Sequence, residues 1–267
     1  MNFYETITAA VRDITDNGYD PLRVDQWLML IKQAAERSLT PTAVMERTLR
    51  ASLAGLYTRY VDKGTILKLN PGVSRFTLDQ VKPKLRAELD RRIMASAQLI
   101  RLNREAAIQK TLQRFSGWST SIPLGGSDVV DKNETKSDIK KSLKQLPFEE
   151  RRVIIDQGHK LVSSISEILA TDGGAIAGEW HSHWRQRGYN YRKDHKERDR
   201  EIYTMRGNWA LKAGLMKCGP AGYTDDITQP GEEVFCRCFY RYIYSPRYLP
   251  DDMVTDKGRA KLEESGK

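Results

Sequence analysis

The sequence predicts a mainly α-helical protein with a small α+β module near its C-terminal end. Apolar residues recur at steps of three and four through most of residues 1–174, which is the spacing of one helix face. Aromatic residues, glycines and β-formers become frequent after Ala175, where the helical periodicity weakens. The chain has 267 residues, of which 39% are hydrophobic, and this is enough apolar material for two cores.

Three helices are predicted in the first part of the chain. The first covers Phe3–Asp16, and the second begins near Pro21. The third follows Thr40-Pro41, where a capping residue precedes a proline, and runs to about Asp62.

The longest periodic segment runs from Thr77 to Phe115 and predicts one long helix with Pro83 in its first turn. One face of this helix is basic, and its cations are Lys84, Arg86, Arg91, Arg92, Arg101, Arg104, Lys110 and Arg114. Such a face could contact DNA or an acidic subunit. Acidic residues are interspersed among the cations, and this favours an ordinary solvated helix exterior.

The pattern divides the chain into five segments. Gly125-Gly126 and scattered Ser and Thr predict a flexible connection, and helices are expected again up to Leu146 and from Pro147 onward. The predicted segments are a helical N-terminal domain (1–115), a flexible linker (116–137), a helical segment (138–174), an α+β module (175–245) and a polar tail (246–267).

Charge and termini limit the classes of protein to consider. The formal net charge of +9 suits an anionic partner such as nucleic acid, although a basic soluble surface needs no such partner. The first residues lack the pattern of a signal peptide, and no run of eighteen apolar residues occurs. Synthesis in the cytoplasm without a membrane span is therefore expected.

Aromatic and basic residues alternate between Trp180 and Tyr223. Aromatic rings can stack on bases while cations hold phosphates, so this segment is a candidate nucleic-acid groove. The candidate contact residues are Arg185, Arg187, Arg192, Lys193 and Arg198. A small domain built around Trp and Tyr would show the same composition.

The three cysteines all lie in the last fifty residues, and their number is odd, which does not fit a secreted disulfide framework. Zinc needs about four soft ligands, and His195, Cys218, Cys236 and Cys238 could provide them. Residues two apart share a face of a strand, so Cys236 and Cys238 could bind a metal, form a strained disulfide or simply pack. Buried structural thiols with no metal and no cofactor are the preferred interpretation.

The order of residues in the module resembles a known family. The relevant stretches are Trp184, Gly188-Tyr189-Asn190-Tyr191-Arg192-Lys193-Asp194-His195, Arg198-Asp199 and Pro230-Gly231-Glu232-Glu233-Val234-Phe235-Cys236-Arg237-Cys238. Over residues 175–245 the chain is similar to the C-terminal module of the phage Mu F-like minor head proteins. In that family an Arg-x-x-His element precedes a loop and a closing Cys-Arg-Cys. The matching positions here are Arg192, His195, Cys236, Arg237 and Cys238.

The resemblance implies a low-copy structural protein of a tailed-phage virion. Such a protein lies near the portal vertex, is added during head assembly with portal, scaffold and coat proteins, and can attach to packaged double-stranded DNA. No catalytic residue is assigned. We expect Arg192 and the nearby acceptors Glu232 and Glu233 to form an Arg–carboxylate network that braces the module.

Two alternatives remain open. A DNA-binding packaging or ejection factor fits the positive charge, although no helix-turn-helix, zinc finger or basic zipper is recognisable. A nuclease or toxin-like enzyme could use the His and Cys residues, or the acidic residues Asp199, Glu201, Asp225 and Asp226. Against an enzyme, the chain has no Gly-x-Ser-x-Gly, no phosphate-binding loop with Lys and no His-Glu-x-x-His.

Overall fold

A computed structural model describes residues 1–265 and confirms a mainly helical fold with a small sheet near the C-terminal end. The chain forms two compact units. The first consists of Met1–Arg50 and Met94–Ile154, and the second of Ala51–Ile93 and the residues from Ile155 onward. This division differs from the predicted contiguous segments because two long helices each contribute residues to both units.

The three predicted N-terminal helices are confirmed as α1 (Phe3–Asn17), α2 (Pro21–Ser38) and α3 (Thr42–Tyr57). A capping box starts α1, because Asn2 Oδ1 accepts the N–H of the third helical residue and that residue's carboxylate accepts the N–H of Asn2. A π-helical turn over 58–62 continues α3 to the predicted end.

Both long helices are longer than predicted. Helix α5 is Arg75–Ser119, so Pro83 lies in its interior and not in its first turn. Helix α6 is Lys132–Asp172 and contains Pro147, where two helices were expected. A proline removes one backbone hydrogen bond, but the apolar face of α6 is buried on both sides of it, as at Leu146 and Val153, and packing outweighs that loss.

The connection between the long helices is shorter than the predicted linker 116–137, because residues 116–119 and 132–137 are helical. The remaining residues pack on the end of α1. Ile122 is buried, and the N–H of Ser127 donates to the carbonyl of Thr15 at 2.8 Å. This loop therefore belongs to the first compact unit.

The cations on the basic face of α5 are mostly paired with carboxylates. The pairs are Lys84–Asp172, Arg86–Asp90, Arg91–Glu88, Arg92–Glu88, Arg101–Glu46, Arg104–Glu150 and Arg114–Asp138. Paired cations present little net charge to a polyanion. The pairing therefore favours the interpretation of this face as an ordinary helix exterior.

The second unit contains a three-stranded antiparallel sheet in the order β2-β1-β3, formed by β1 (Ala177–His181), β2 (Ile202–Thr204) and β3 (Phe239–Ile243). Gly178 in β1 lies opposite Tyr203 and Tyr242. A Cβ atom on Gly178 would lie 2.9 Å from the ring of Tyr240, so glycine lets this ring lie against the central strand.

Short helices complete the second unit: α4 (Ile66–Leu69), α7 (Lys193–Glu197), α8 (Trp209–Lys212) and α9 (Asp256–Ser265). An aromatic core forms around Trp180, and its other buried members are Ala170, Ala175, Tyr203, Cys236, Cys238, Tyr240 and Tyr242. In the described part of the chain, no helix is both long and apolar enough to cross a membrane.

The segment predicted as a polar tail contributes several buried side chains to the module. Leu249, Met253 and Val254 are buried in a second apolar cluster of this unit, and Val254 pairs with Met216 in an isolated β-bridge. The composition of this segment is polar because it has few apolar residues, but these three reach the core. The module thus extends beyond residue 245 to at least α9.

Candidate functional site

Three residues of the predicted motif form one buried cluster. His195 lies on α7, and Cys236 and Cys238 lie in the segment that leads into β3. The Nδ1 atom of His195 is 3.6 Å from Sγ of Cys236 and 3.4 Å from Sγ of Cys238. All three side chains are almost completely buried, so the cluster is part of the aromatic core.

The predicted alternation around Arg237 is confirmed, although the strand itself begins later than expected, at Phe239. The two thiols point inward, while Arg237 is exposed and lies over the ring of Tyr189 at 5.5 Å. The backbone N–H of Arg237 also donates to the Tyr189 hydroxyl at 3.3 Å. Extended backbone before β3 is enough to place the thiols on one side.

The segment before the thiols is anchored to α6. Phe235 has a left-handed backbone with φ of 60°, which is uncommon for a residue with a bulky side chain. Its N–H donates to Oδ1 of Asp156, a buried residue of α6, at 2.7 Å, and Lys160 donates to the carbonyl of Glu232 at 2.9 Å. The sequence reasoning missed Asp156, because nothing local to α6 indicates a partner so distant in the chain.

The two thiols titrate as a pair. A hydrogen bond from Cys238 to Cys236 outweighs burial and, with the N–H of Gly231, lowers the pKa of Cys236 to about 5. The pKa of Cys238 is raised, because Cys236 accepts its proton in that hydrogen bond, because it is buried and because its ionisation would put a second negative charge beside Cys236. Ionisation of Cys236 is therefore favoured over ionisation of Cys238.

The other ring nitrogen of His195 faces carboxylates. Among the described residues, its Nε2 atom has no hydrogen-bond partner although it is buried. Its nearest carboxylate oxygens are Oε1 of Glu233 at 3.7 Å and Oδ2 of Asp194 at 3.8 Å. The ring thus lies between sulfur on one side and negative charge on the other.

The predicted bracing contact of Arg192, the residue before α7, is made with Glu233. The carboxylate of Glu232, the other expected acceptor, accepts from the N–H of Gln229 at 2.7 Å. The Arg192 guanidinium donates to the carbonyl of Val234 at 3.0 Å and forms a close ion pair with Glu233. Arg192 and Glu233 are both partly exposed, so the pair contributes modestly to stability. Its effect is positional, because it ties the start of α7 to the segment that carries the thiols.

All five positions of the predicted motif are therefore placed near one another, with Arg237 on the exposed side.

No known family model, curated protein or solved structure matches this chain. A functional assignment therefore depends on the geometry of the site itself.

Cys218 does not join the cluster, so the predicted four-residue zinc set is not assembled. Among the described residues, the possible metal-binding group that contains the thiols of Cys236 and Cys238 has His195 as its third member. Cys218 follows the bridge between Met216 and Val254, and its Sγ points to the carbonyl of Gly219 at 3.6 Å. Because Met216 pairs with Val254, the loop that carries Cys218 is held away from the cluster. The sequence near Cys218 has no local sign of that pairing.

The candidate nucleic-acid residues divide into two groups. Arg192 and Arg198 are paired with carboxylates, and Arg198 lies 2.9 Å from Asp194. The remaining three are exposed: Arg185, Arg187 and Lys193. Arg185 lies over the ring of Trp184 at 4.8 Å. Stacking of a cation on a partly buried aromatic ring such as Trp184 is compatible with both a nucleic-acid contact and simple packing.

The acidic residues considered for a nuclease-like metal site have other partners. Asp225 and Asp226 form ion pairs with Arg206 at 2.8 Å and 2.7 Å. Asp199 accepts hydrogen bonds from the N–H of Ser182 and from Nε1 of Trp184, both at 2.8 Å. Among residues 1–265, two groups of side chains lie close enough together to hold a metal ion, and neither group contains these carboxylates.

Proposed function

We propose that this chain is a minor structural protein of a tailed-phage head, which acts by binding other virion proteins such as portal or coat near the portal vertex. The observation that carries the proposal is the joint packing of the Arg-x-x-His and Cys-Arg-Cys elements. His195 and Cys236 are separated by 41 positions, yet their side chains are in contact. Two sequence elements that resemble those of the minor head proteins thus combine into one local structure.

The side chains of the motif contact one another or neighbouring residues of the same unit, which supports a bracing role and not a chemical one. Arg192 holds the segment before Cys236, and His195 fills the space between the thiols and Trp180, whose ring centroid is 5.3 Å away. The same packing leaves apolar side chains on the surface near the motif. Val234 is 60% exposed and Phe239 is 45% exposed. Exposed apolar groups beside a rigid scaffold suit a protein–protein contact.

Mass spectrometry of particles tests the virion assignment. We expect the protein to remain in gradient-purified particles after nuclease treatment and salt washing, at a much lower copy number than the coat protein. Its absence from washed particles would end the proposal. A phage that lacks the gene for this protein should give a lower yield of particles, or particles with altered heads.

A pair of variants tests the contact surface. Replacing Val234 and Phe239 together by Ser should reduce incorporation into particles, because apolar anchors contribute most to such interfaces. Tyr248→Ser is the matched control, since this side chain is 72% exposed in the same unit and lies outside the motif. Equal incorporation of both proteins at equal thermal stability would exclude this surface.

DNA binding is a second candidate, favoured by the exposed cations Arg185, Arg187 and Lys193 and the stacked ring of Trp184. If these cations bind phosphates, replacing all three by Ala should weaken binding to double-stranded DNA and reduce the slope of log affinity against log salt by about 1 for each phosphate that is no longer neutralised. If the protein does not bind DNA at low salt, or if the variant binds as well as the wild type, the DNA-binding candidate is excluded and only the structural role remains.

A further inference from the structure

The two nitrogen–sulfur distances in the buried cluster are those expected for neighbouring ligands of a tetrahedral metal site. With Zn–S of about 2.3 Å and Zn–N of about 2.0–2.1 Å, two ligands at the tetrahedral angle lie about 3.6 Å apart. The distances from His195 Nδ1 to the two sulfurs are 3.6 Å and 3.4 Å, and all three donor atoms lie within 4.8 Å of one another. One ion can therefore reach all three atoms with little movement of the side chains.

The surroundings of the cluster also match those of a metal ligand set. A ligating histidine usually directs its second ring nitrogen to a carboxylate, and Nε2 of His195 is buried with Glu233 and Asp194 as the nearest acceptors. The N–H of Gly231 points to Sγ of Cys236 at 3.4 Å, which is the usual hydrogen bond to a metal-bound sulfur. Cys238 is also among the residues that line a groove of about 610 Å³.

We propose that His195 Nδ1, Cys236 Sγ and Cys238 Sγ bind one Zn²⁺ ion, with a water molecule in the fourth position. Both sulfurs bind as thiolates, and the protons that they carry leave to the solvent. Two thiolates and one imidazole select a soft or borderline ion such as Zn²⁺ over Mg²⁺ or Ca²⁺. The ion links α7 to the segment before β3, so it stabilises the contact that Arg192 braces. This inference does not depend on the virion assignment.

Metal analysis of the full chain tests the proposal. The protein is expressed with added zinc and purified without chelators or a histidine tag, and its metal content is measured by mass spectrometry. We expect about one zinc ion per chain. Cys236→Ser and Cys238→Ser should each lose most of it, whereas Cys218→Ser should keep it, because Cys218 points to Gly219 and not to the cluster.

Cobalt substitution keeps the test valid if the serine variants fail to fold. The Co²⁺ form of the wild-type chain should show intense thiolate-to-cobalt charge-transfer absorption and the visible bands of four-coordinate cobalt, and zinc should displace both. Zinc-free protein with no cobalt absorption would overturn the proposal. A disulfide between Cys236 and Cys238, detected by mass spectrometry of the unreduced chain as a loss of two hydrogens, would also overturn it. So would a loss of zinc in Cys218→Ser equal to the loss in the other two variants.

Discussion

Single polar residues hold the loops around the cluster in place. Asp199 illustrates this, because its carboxylate accepts from the backbone of Ser182 and from the indole of Trp184. Burial alone would raise the pKa of Asp199, but these two hydrogen bonds, together with the nearby positive charge of Arg200, outweigh burial and lower it below its usual value. The folded protein therefore prefers the ionised form.

Asp199→Asn should lower the free energy of unfolding by about 1–2 kcal/mol at pH 7, since the variant loses charge-assisted hydrogen bonds. A carboxyl with a lowered folded-state pKa stabilises the protein above its unfolded pKa of about 3.9, and this contribution is lost as the pH falls through the folded pKa. Denaturant unfolding from about pH 7 to about pH 3 should therefore show the wild type and the variant converging at the acid end.

Glu197→Gln is the control for Asp199→Asn. The Glu197 side chain is 65% exposed and pairs only loosely with Lys193 at 3.8 Å, so the change should stay within about 0.5 kcal/mol. A stability difference for Asp199→Asn that stays constant over the whole pH range would contradict the role given to its charge.

Among the elements, the end of α1 and the loop that follows α5 depend on each other. The helix ends at Gly18, whose backbone has φ of 79°. A Cβ atom there would lie 2.1 Å from the carbonyl oxygen of Leu124, a residue of the loop. Glycine is required at this position by both the backbone conformation and the close approach.

Gly18→Ala should lower the free energy of unfolding by about 2 kcal/mol or more, because the loop must move away and the backbone is strained. Gly117→Ala is the matched control in α5, where an added Cβ meets no atom within 4 Å. That change should raise stability by about 0.5–1 kcal/mol through helix propensity. Denaturant unfolding measures both, and a Gly18→Ala protein as stable as the wild type would mean that the loop is not packed on α1.

At the scale of the whole molecule, each compact unit combines segments that are far apart in sequence. The second unit depends on its C-terminal residues, because Met253 and Val254 pack with Leu215 and Met216 in one apolar cluster. Burial of a large apolar side chain contributes about 1.5–3 kcal/mol, and a domain has about 5–15 kcal/mol in total. Residues 246–265 therefore contribute a large share of this unit's stability.

A chain that ends at Ser245 should lose cooperative thermal unfolding of the second unit and become sensitive to protease after residue 155. Met253→Ala should show the same effect in milder form, a loss of about 2–5 kcal/mol. Tyr248→Ala should stay within about 0.5 kcal/mol, because this side chain is 72% exposed. Unchanged unfolding of the shortened chain would show that residues 246–265 are the polar tail that their composition indicates.

Sequence patterns correctly predicted the features that depend on neighbours along the chain. These are the three N-terminal helices and the alternation that turns Cys236 and Cys238 inward with Arg237 outward, and both follow from local geometry. Contacts between distant residues required the folded structure. They bring His195 to the two thiols, hold Cys218 away, carry α6 through Pro147 and bury Met253. Burial and packing energies depend on partners that are remote in sequence, and no local pattern specifies which partners will meet.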